Sequence, residues 1–231
     1  MTVILSNLQA VRAAIHQAAL LAQRNPAEIA LLAVSKTMPS SALREVHNHG
    51  QLAFGENFVQ EALGKINELS DLPLEWHFIG PIQSNKTCPI AENFDWVHSV
   101  DRLKIAQRLS EQRQSDLPPL NICLQINISN EPTKGGVTPS EAESMALAIA
   151  TLPHLKLRGL MAIPAPAEYL SVQRLPFAKM RELLKHFNSS GLNLDTLSMG
   201  MSHDLTAAIL EGATIVRIGT AIFGSRVKSS A

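Results

Sequence analysis

The residue most able to do chemistry in this chain is a primary amine placed where a strand gives way to a loop. Lys36 closes the segment that begins with the apolar run Ile29 to Val34, and it is followed at once by Thr37, Met38 and Pro39. A lysine at a strand end can lose solvation, which disfavours its ammonium form and frees the lone pair for attack on an aldehyde. That position points to a Schiff base; the plain alternative is a surface lysine opening a loop. Two segments near the C-terminus add groups of another kind. SMGMSHD, residues 198 to 204, carries Ser202, which can cap the following helix, and a helix start also presents N–H donors to an anion. VRIGTAIFG, residues 216 to 224, carries Gly219, which would let a ligand approach the backbone closely, and the hydroxyl of Thr220.

Lys36 and these two segments describe a ligand with an aldehyde at one end and a phosphate at the other, and pyridoxal 5'-phosphate fits that description. Arg217 lies two residues before Gly219, so on a strand it shares that face and can point toward the ring nitrogen; a salt bridge on the wall is its alternative. Asn57, after FGE, is placed to neighbour the ring or the Schiff base. His77, inside WHFIG, reads as a hydrogen-bonded core histidine before a catalyst. Lys134, in NEPTKGG, could contact phosphate or a substrate carboxylate, with a solvated loop lysine as the default.

The elements that must position these groups are eight strand-like segments separated by amphipathic stretches. The segments are Ile29 to Lys36, Leu52 to Glu56, Trp76 to Gly80, Trp96 to Val100, Leu120 to Ile128, Lys156 to Ile163, Thr196 to Met201 and Thr214 to Phe223. Most are continuous apolar runs, as in parallel strands covered by helices. Thr138, Pro139, Ser140 and Glu141 form a capping-box pattern, and Gly50 and Gly212 fall where helix C-caps belong. Eight strand and helix units make a single-domain (β/α)8 TIM barrel, with residues 1–24 as an extra outer helix and residues 28–226 as the barrel. A doubly wound open sheet would offer a glycine-rich loop after its first strand, where this chain has LLAVSKTMP. The barrel also gathers Lys36, Asn57, Ser202, Gly219 and Thr220 at strand C-terminal ends, where barrels carry their sites.

Composition narrows the partners. Of 231 residues, 45% are hydrophobic, enough for a sizeable core, and 20 basic side chains balance 20 acidic ones, so no net field recruits nucleic acid or a membrane surface. Cys88 and Cys123 have no metal-ligand or CxxC spacing and read as reduced thiols of a cytoplasmic protein without a metal site. No apolar run approaches the roughly 18 residues that read as a membrane span.

The segments AVSKT, FGEN, WHFIGPIQSNK, INIS followed by KGG, RGLMAI, SMGMSHD and VRIGTAIFG, in this order, resemble the YggS/PROSC family of pyridoxal phosphate homeostasis proteins from about Leu31 to Arg226. The resemblance implies a barrel like the N-terminal domain of bacterial alanine racemase, the type III fold of pyridoxal phosphate proteins. It implies the vitamin B6 cofactor as a Schiff base on Lys36, phosphate held by Ser202, Gly219 and Thr220, and Arg217 at the pyridine nitrogen. Met38 departs from the pattern, because some relatives carry a second basic residue at that place.

An arginine at the pyridine nitrogen disfavours ring protonation and so weakens carbanion chemistry, although racemases with this barrel work with the same arginine, so this alone does not decide between carrier and racemase. A two-base racemase of this fold also needs a tyrosine from a second domain, whereas the sole tyrosine here is Tyr169, between strand six and its helix. The expectation is a monomeric cofactor carrier in pyridoxal phosphate homeostasis, without established turnover, that releases the aldehyde by imine exchange, with apoenzymes that use the cofactor as partners. The alternatives are a low-activity amino-acid racemase and a cofactor-free Schiff-base aldolase.

Overall fold

The computed structural model describes residues 2–131 and 134–224. Pro132 and Thr133 of NEPTKGG, and the expected barrel end at Arg226, lie outside the described residues. Eight parallel strands close into one barrel in sequence order: β1 Ala30–Val34, β2 Ala53–Glu56, β3 Glu75–Phe78, β4 Trp96–Val100, β5 Leu120–Gln125, β6 Leu155–Met161, β7 Thr196–Ser198 and β8 Ile215–Ile218. β8 returns to β1 through the register Ala30 to Ile215 and Ala33 to Ile218. This is the expected (β/α)8 barrel.

Helices cover the outside: α1 Val3–Leu21, α2 Ser40–His47, α3 Val59–Glu68, α4 Thr87–Asn93, α5 Leu103–Gln112, α6 Pro139–Ala150, α7 Leu170–Ser189, α8 Leu205–Leu210 and α9 Thr220–Phe223. In α1, Leu8, Val11, Ile15 and Ala18 recur at helical spacing and are buried, and Asn7 Nδ2 donates to the Ile222 carbonyl at 3.0 Å, which ties the helix to the barrel's last turn. Gly212, at φ +97°, directly follows the C-cap Glu211 of α8 as expected, whereas α2 is capped at Asn48 and Gly50, at φ +81°, turns the chain two residues later. At Gly159 in β6 a Cβ would lie 1.8 Å from the Thr196 carbonyl oxygen, so only glycine lets β6 and β7 pair.

The core has two parts. Most of it, including Phe54, Phe78, Phe94, Val97, Phe177 and Phe187, fills the layer between strands and helices. A second cluster of Leu32, Trp96, Cys123, Met161 and Ile215 plugs the barrel itself. Among the described residues no helix is long and apolar enough to cross a membrane, and no cluster of His, Cys, Asp or Glu could hold a metal. Cys88 and Cys123 are both free, the first exposed and the second buried.

Several expected boundaries are corrected. β8 ends at Ile218 rather than Phe223; the chain turns at Gly219, and Ile222 and Phe223 donate to its carbonyl at 2.9 and 3.0 Å, so the rest of that apolar run is α9. An apolar run alone does not separate a strand from a short buried helix. β7 stops at Ser198, well before Met201. β1 ends at Val34; Ser35 N still bonds to the Gly55 carbonyl at 3.0 Å, and Lys36 opens the turn that follows. The Thr138 cap also differs. Thr138 sits at the N-cap with Pro139 next, but its hydroxyl bonds the Glu141 carboxylate at 2.6 Å instead of a backbone amide.

Candidate functional site

A cavity of about 250 Å³ opens at the C-terminal face of the barrel. Its lining includes Lys36, Asn57, Ser202, Arg217, Gly219 and Thr220, so the structure brings all six expected residues to one place. A smaller hollow beside it shares Lys36, Gly219 and Thr220 and adds Met38. A larger hollow of about 1020 Å³ lies against α6 and α7 on the flank and gathers none of these groups. The cavity near Lys36 is the one with convergent chemistry.

Lys36 is positioned through its neighbours. Lys65, buried on the inner face of α3, donates from Nζ to the Ser35 carbonyl at 2.8 Å, to Glu56 Oε1 at 2.7 Å and to Glu61 Oε1 at 2.6 Å. The Ser35 hydroxyl donates to the same Glu56 oxygen at 2.6 Å, and the Thr37 amide donates to Glu61 Oε1 at 2.5 Å. The residues on both sides of Lys36 are therefore fixed by one ion-pair cluster, in which Lys65 and Glu56 are buried and Glu61 is partly exposed. Thr37 sits at φ +67°, a conformation that β-branched residues rarely adopt, and its amide bond to Glu61 holds it there. Burial pushes the Glu56 carboxyl above the usual carboxylate range, against the pull of Lys65 and Ser35.

Arg217 enters from β8 and is buried. Its Nη1 donates to the Ser198 carbonyl at 2.6 Å and to Ser198 Oγ at 2.8 Å, and its Nη2 donates to the Ala162 carbonyl at 2.9 Å. The alternative of a wall salt bridge is not what forms: these bonds are all to neutral oxygens. Burial lowers the guanidinium pKa to about 10, opposed by the more distant fields of Asp204 and Cys123. Burial likewise pushes the Cys123 thiol up to about 12, which leaves it an inert wall of the barrel.

The remaining cavity groups differ in how they are held. Asn57 Oδ1 is buried and has no hydrogen-bond partner among the described residues, an orphan acceptor beside the cavity. The turn after β3 fits against it only through Gly80, where a Cβ would lie 2.2 Å from the Asn57 carbonyl oxygen. Gly219 packs on Val34, with room for a Cβ only at 3.1 Å from the Val34 carbonyl oxygen. Ser202 and Thr220 are exposed at the mouth. The expectation that Ser202 caps α8 is corrected: Asp204 is the N-cap residue, and its Oδ1 accepts from the Met201 amide at 2.6 Å. Ser202 lies in the loop before it.

Two expected side chains do not line the cavity. His77 is a hydrogen-bonded core histidine, between Glu75 and His98. Lys134 pairs with Glu131 at 2.8 Å, and its Nζ also donates to the carbonyl of the cavity-lining Ile163 at 3.3 Å, so it lies beside the site without lining the cavity. Lys65, Glu56, His98 and Ser198 were not legible as site residues. Lys65 reads in sequence as a solvated helix lysine four residues from Glu61, and only the inward turn of α3 makes it a buried clamp.

Lys65→Met strands the buried Glu56 carboxylate without its cation, and equilibrium unfolding in urea should show a loss of about 3–5 kcal/mol; an unchanged midpoint would mean the cluster does not hold this loop. His98 behaves in the opposite sense to a salt-bridged group. Burial, then the fields of His77 and Arg217, hold it well below the ordinary value of 6.5. The unfolded chain therefore binds a proton there that the folded chain refuses, so stability falls as pH drops below about 6.5, by up to about 1.4 kcal/mol per pH unit. His98→Asn should flatten that part of the stability profile.

Comparison with known proteins identifies the family. The family model for the alanine racemase N-terminal domain matches residues 6–227. The pyridoxal phosphate homeostasis protein of Pseudomonas aeruginosa is 62% identical over 226 residues, 98% of this chain and 97% of that protein. The one of Escherichia coli K12 is 53% identical over 229 residues, 95% of each. A solved structure of PipY from Synechococcus elongatus with PLP bound is 38% identical, covers 91% of this chain and 99% of that one, and superposes with a TM-score of 0.80. The chain belongs to the pyridoxal phosphate homeostasis family, built on the alanine racemase N-terminal domain.

Proposed function

We propose that this protein binds pyridoxal 5'-phosphate in the cavity at Lys36 and acts in the cytoplasm as a carrier that buffers the free cofactor. The observation that carries this reading is the convergence of Lys36, Asn57, Ser202, Arg217, Gly219 and Thr220 on one cavity. The group fits the residues present. An unpartnered amide oxygen at Asn57, a buried cation at Arg217 and two hydroxyls at the mouth suit a polar aromatic phosphate, and PipY is a relative solved with PLP bound.

When bound, the cofactor supplies an aldehyde that condenses with a primary amine, releasing one water. Lys36 Nζ is the amine in this reading, and the clamp on Ser35 and Thr37 fixes where it reaches. Ser202, Gly219 and Thr220 would hold the phosphate, Asn57 would meet the ring, and Arg217 would face its nitrogen. Release would need an incoming amine on an acceptor protein to take the place of Lys36 at that aldehyde, which would return Lys36 Nζ to a primary amine. Arg217 bonds only neutral oxygens, so its full charge opposes protonation of a nitrogen beside it. Tyr169 is 67% exposed and does not line the cavity, so it supplies no second base. The position of Tyr169 is the feature that favours a carrier over a racemase, because racemases with this barrel work with the same arginine.

Protein incubated with pyridoxal phosphate should turn yellow, lose the colour on borohydride, and carry the phosphopyridoxyl mass on the peptide containing Lys36; Lys36→Ala should carry none. A colourless protein that takes up no cofactor would refute the proposal. Loaded protein mixed with single amino-acid enantiomers should leave them unchanged, whereas inversion above the Lys36→Ala background would replace the carrier with the racemase.

A further inference from the structure

Five polar side chains form a continuous line through the barrel, and the carrier reading uses only the last. Glu75 Oε1, at the N-terminal end of β3, lies 2.6 Å from His77 Nε2. His77 Nδ1 lies 2.9 Å from His98 Nε2, and His98 Nδ1 lies 2.7 Å from Ser198 Oγ. Ser198 Oγ accepts from Arg217 Nη1 at 2.8 Å. The Glu75 side chain is 49% exposed, whereas His77, His98, Ser198 and Arg217 are all buried. One end of the line thus meets water on the face opposite the cavity, and the other end is the cavity wall.

Donor and acceptor inventories fix how the line can be wired. Arg217 only donates. With both histidines neutral, Ser198 accepts from Arg217 and donates to His98 Nδ1; His98 donates from Nε2 to His77 Nδ1, and His77 donates from Nε2 to the Glu75 carboxylate. Every hydrogen then points away from the cavity. The line with one more proton, taken from solvent, has a different wiring. His77 carries hydrogens on both nitrogens and donates to Glu75 and His98 Nε2, so His98 moves its single hydrogen to Nδ1 and donates to Ser198. Ser198 Oγ now accepts twice. An oxygen that donates onward is a stronger acceptor than one that accepts twice, so the second wiring leaves the guanidinium less neutralised.

We propose that Glu75, His77, His98 and Ser198 are positioning residues that couple the protonation state of the barrel's far face to the charge Arg217 presents to a ligand's ring nitrogen. This rests on the proposed seating of pyridoxal phosphate with its nitrogen at Arg217. The groups facing His77 are Glu75 on its own strand, the stacked Trp96 and His98 on β4, and Asp95 just before β4. Arg158 from β6 lies over Trp96 and acts on Glu75, and Arg217 lies beyond His98. Glu75 and Asp95 are the acidic groups of that surround, and Arg158 and Arg217 the basic ones. His98 stays neutral in both wirings, consistent with the strong penalty on charging it.

The test is the visible absorbance of cofactor-loaded protein between pH 5 and 8. The wild-type band should shift in position or intensity with a single midpoint. Glu75→Gln is nearly isosteric and far from the cavity, so it should load normally while the midpoint falls by roughly half a unit to one unit, because the charge that favours the extra proton is gone. Ser198→Ala cuts the line beside Arg217 and should load with a flat profile. A flat wild-type profile, or one unmoved by Glu75→Gln, would overturn the coupling and leave the carrier intact. Failure of wild-type protein to load at all would overturn both.

Discussion

The buried contact between Lys65 and Glu56 is the constraint on which the site depends. Both side chains are taken almost completely out of water, which is expensive, and their mutual attraction only partly offsets that loss. Hydrophobic residues of similar size could fill the same space. What they could not do is hold the Ser35 carbonyl, the Ser35 hydroxyl and, through Glu61, the Thr37 amide in one arrangement. Lys36 is the residue between those fixed points. A flexible four-carbon side chain reaches a defined position only if its backbone is fixed, so the ion pair contributes orientation rather than net stability.

The same choice is repeated across the barrel. Its interior has an apolar plug around Leu32, Trp96, Cys123, Met161 and Ile215, and polar side chains from β3, β4, β7 and β8 beside it. Placing Arg217 there without a carboxylate in contact costs desolvation that neutral oxygens only partly offset. The result is a cation whose charge remains available at the cavity wall. A carboxylate there would cancel it and favour a protonated ring nitrogen, the setting that suits carbanion chemistry.

The sequence made the architecture legible because eight apolar runs punctuated by helical stretches have few other solutions. The cavity residues were legible because Lys36, Asn57, Gly219 and Thr220 stand just beyond a strand's C-terminal end, Arg217 lies one residue before such an end, and Ser202 lies in the loop that follows one. Where the reading failed, local pattern and tertiary packing carry different information. Ser202 looks like a helix cap, but the helix starts later, with Asp204 at the N-cap position and its carboxylate turned back to the Met201 amide. The run to Phe223 looks like strand, but Gly219 turns it into α9. His98 and Ser198 lie in strands buried on both faces, where alternation is lost and nothing marks which residues point inward. Lys65 is the sharpest case, since no composition or spacing rule distinguishes a clamp from a solvated lysine on the same helix.

The central claim is that this clamp presents Lys36 to a cofactor whose nitrogen end is answered by Arg217. A crystal structure of the protein soaked with pyridoxal phosphate tests it most directly. The account predicts density continuous from Lys36 Nζ into the ring, the ring nitrogen toward Arg217, the phosphate against Ser202, Gly219 and Thr220, and an unmoved contact between Lys65 and Glu56. A cofactor bound elsewhere, or seated with its phosphate at Arg217, would contradict it.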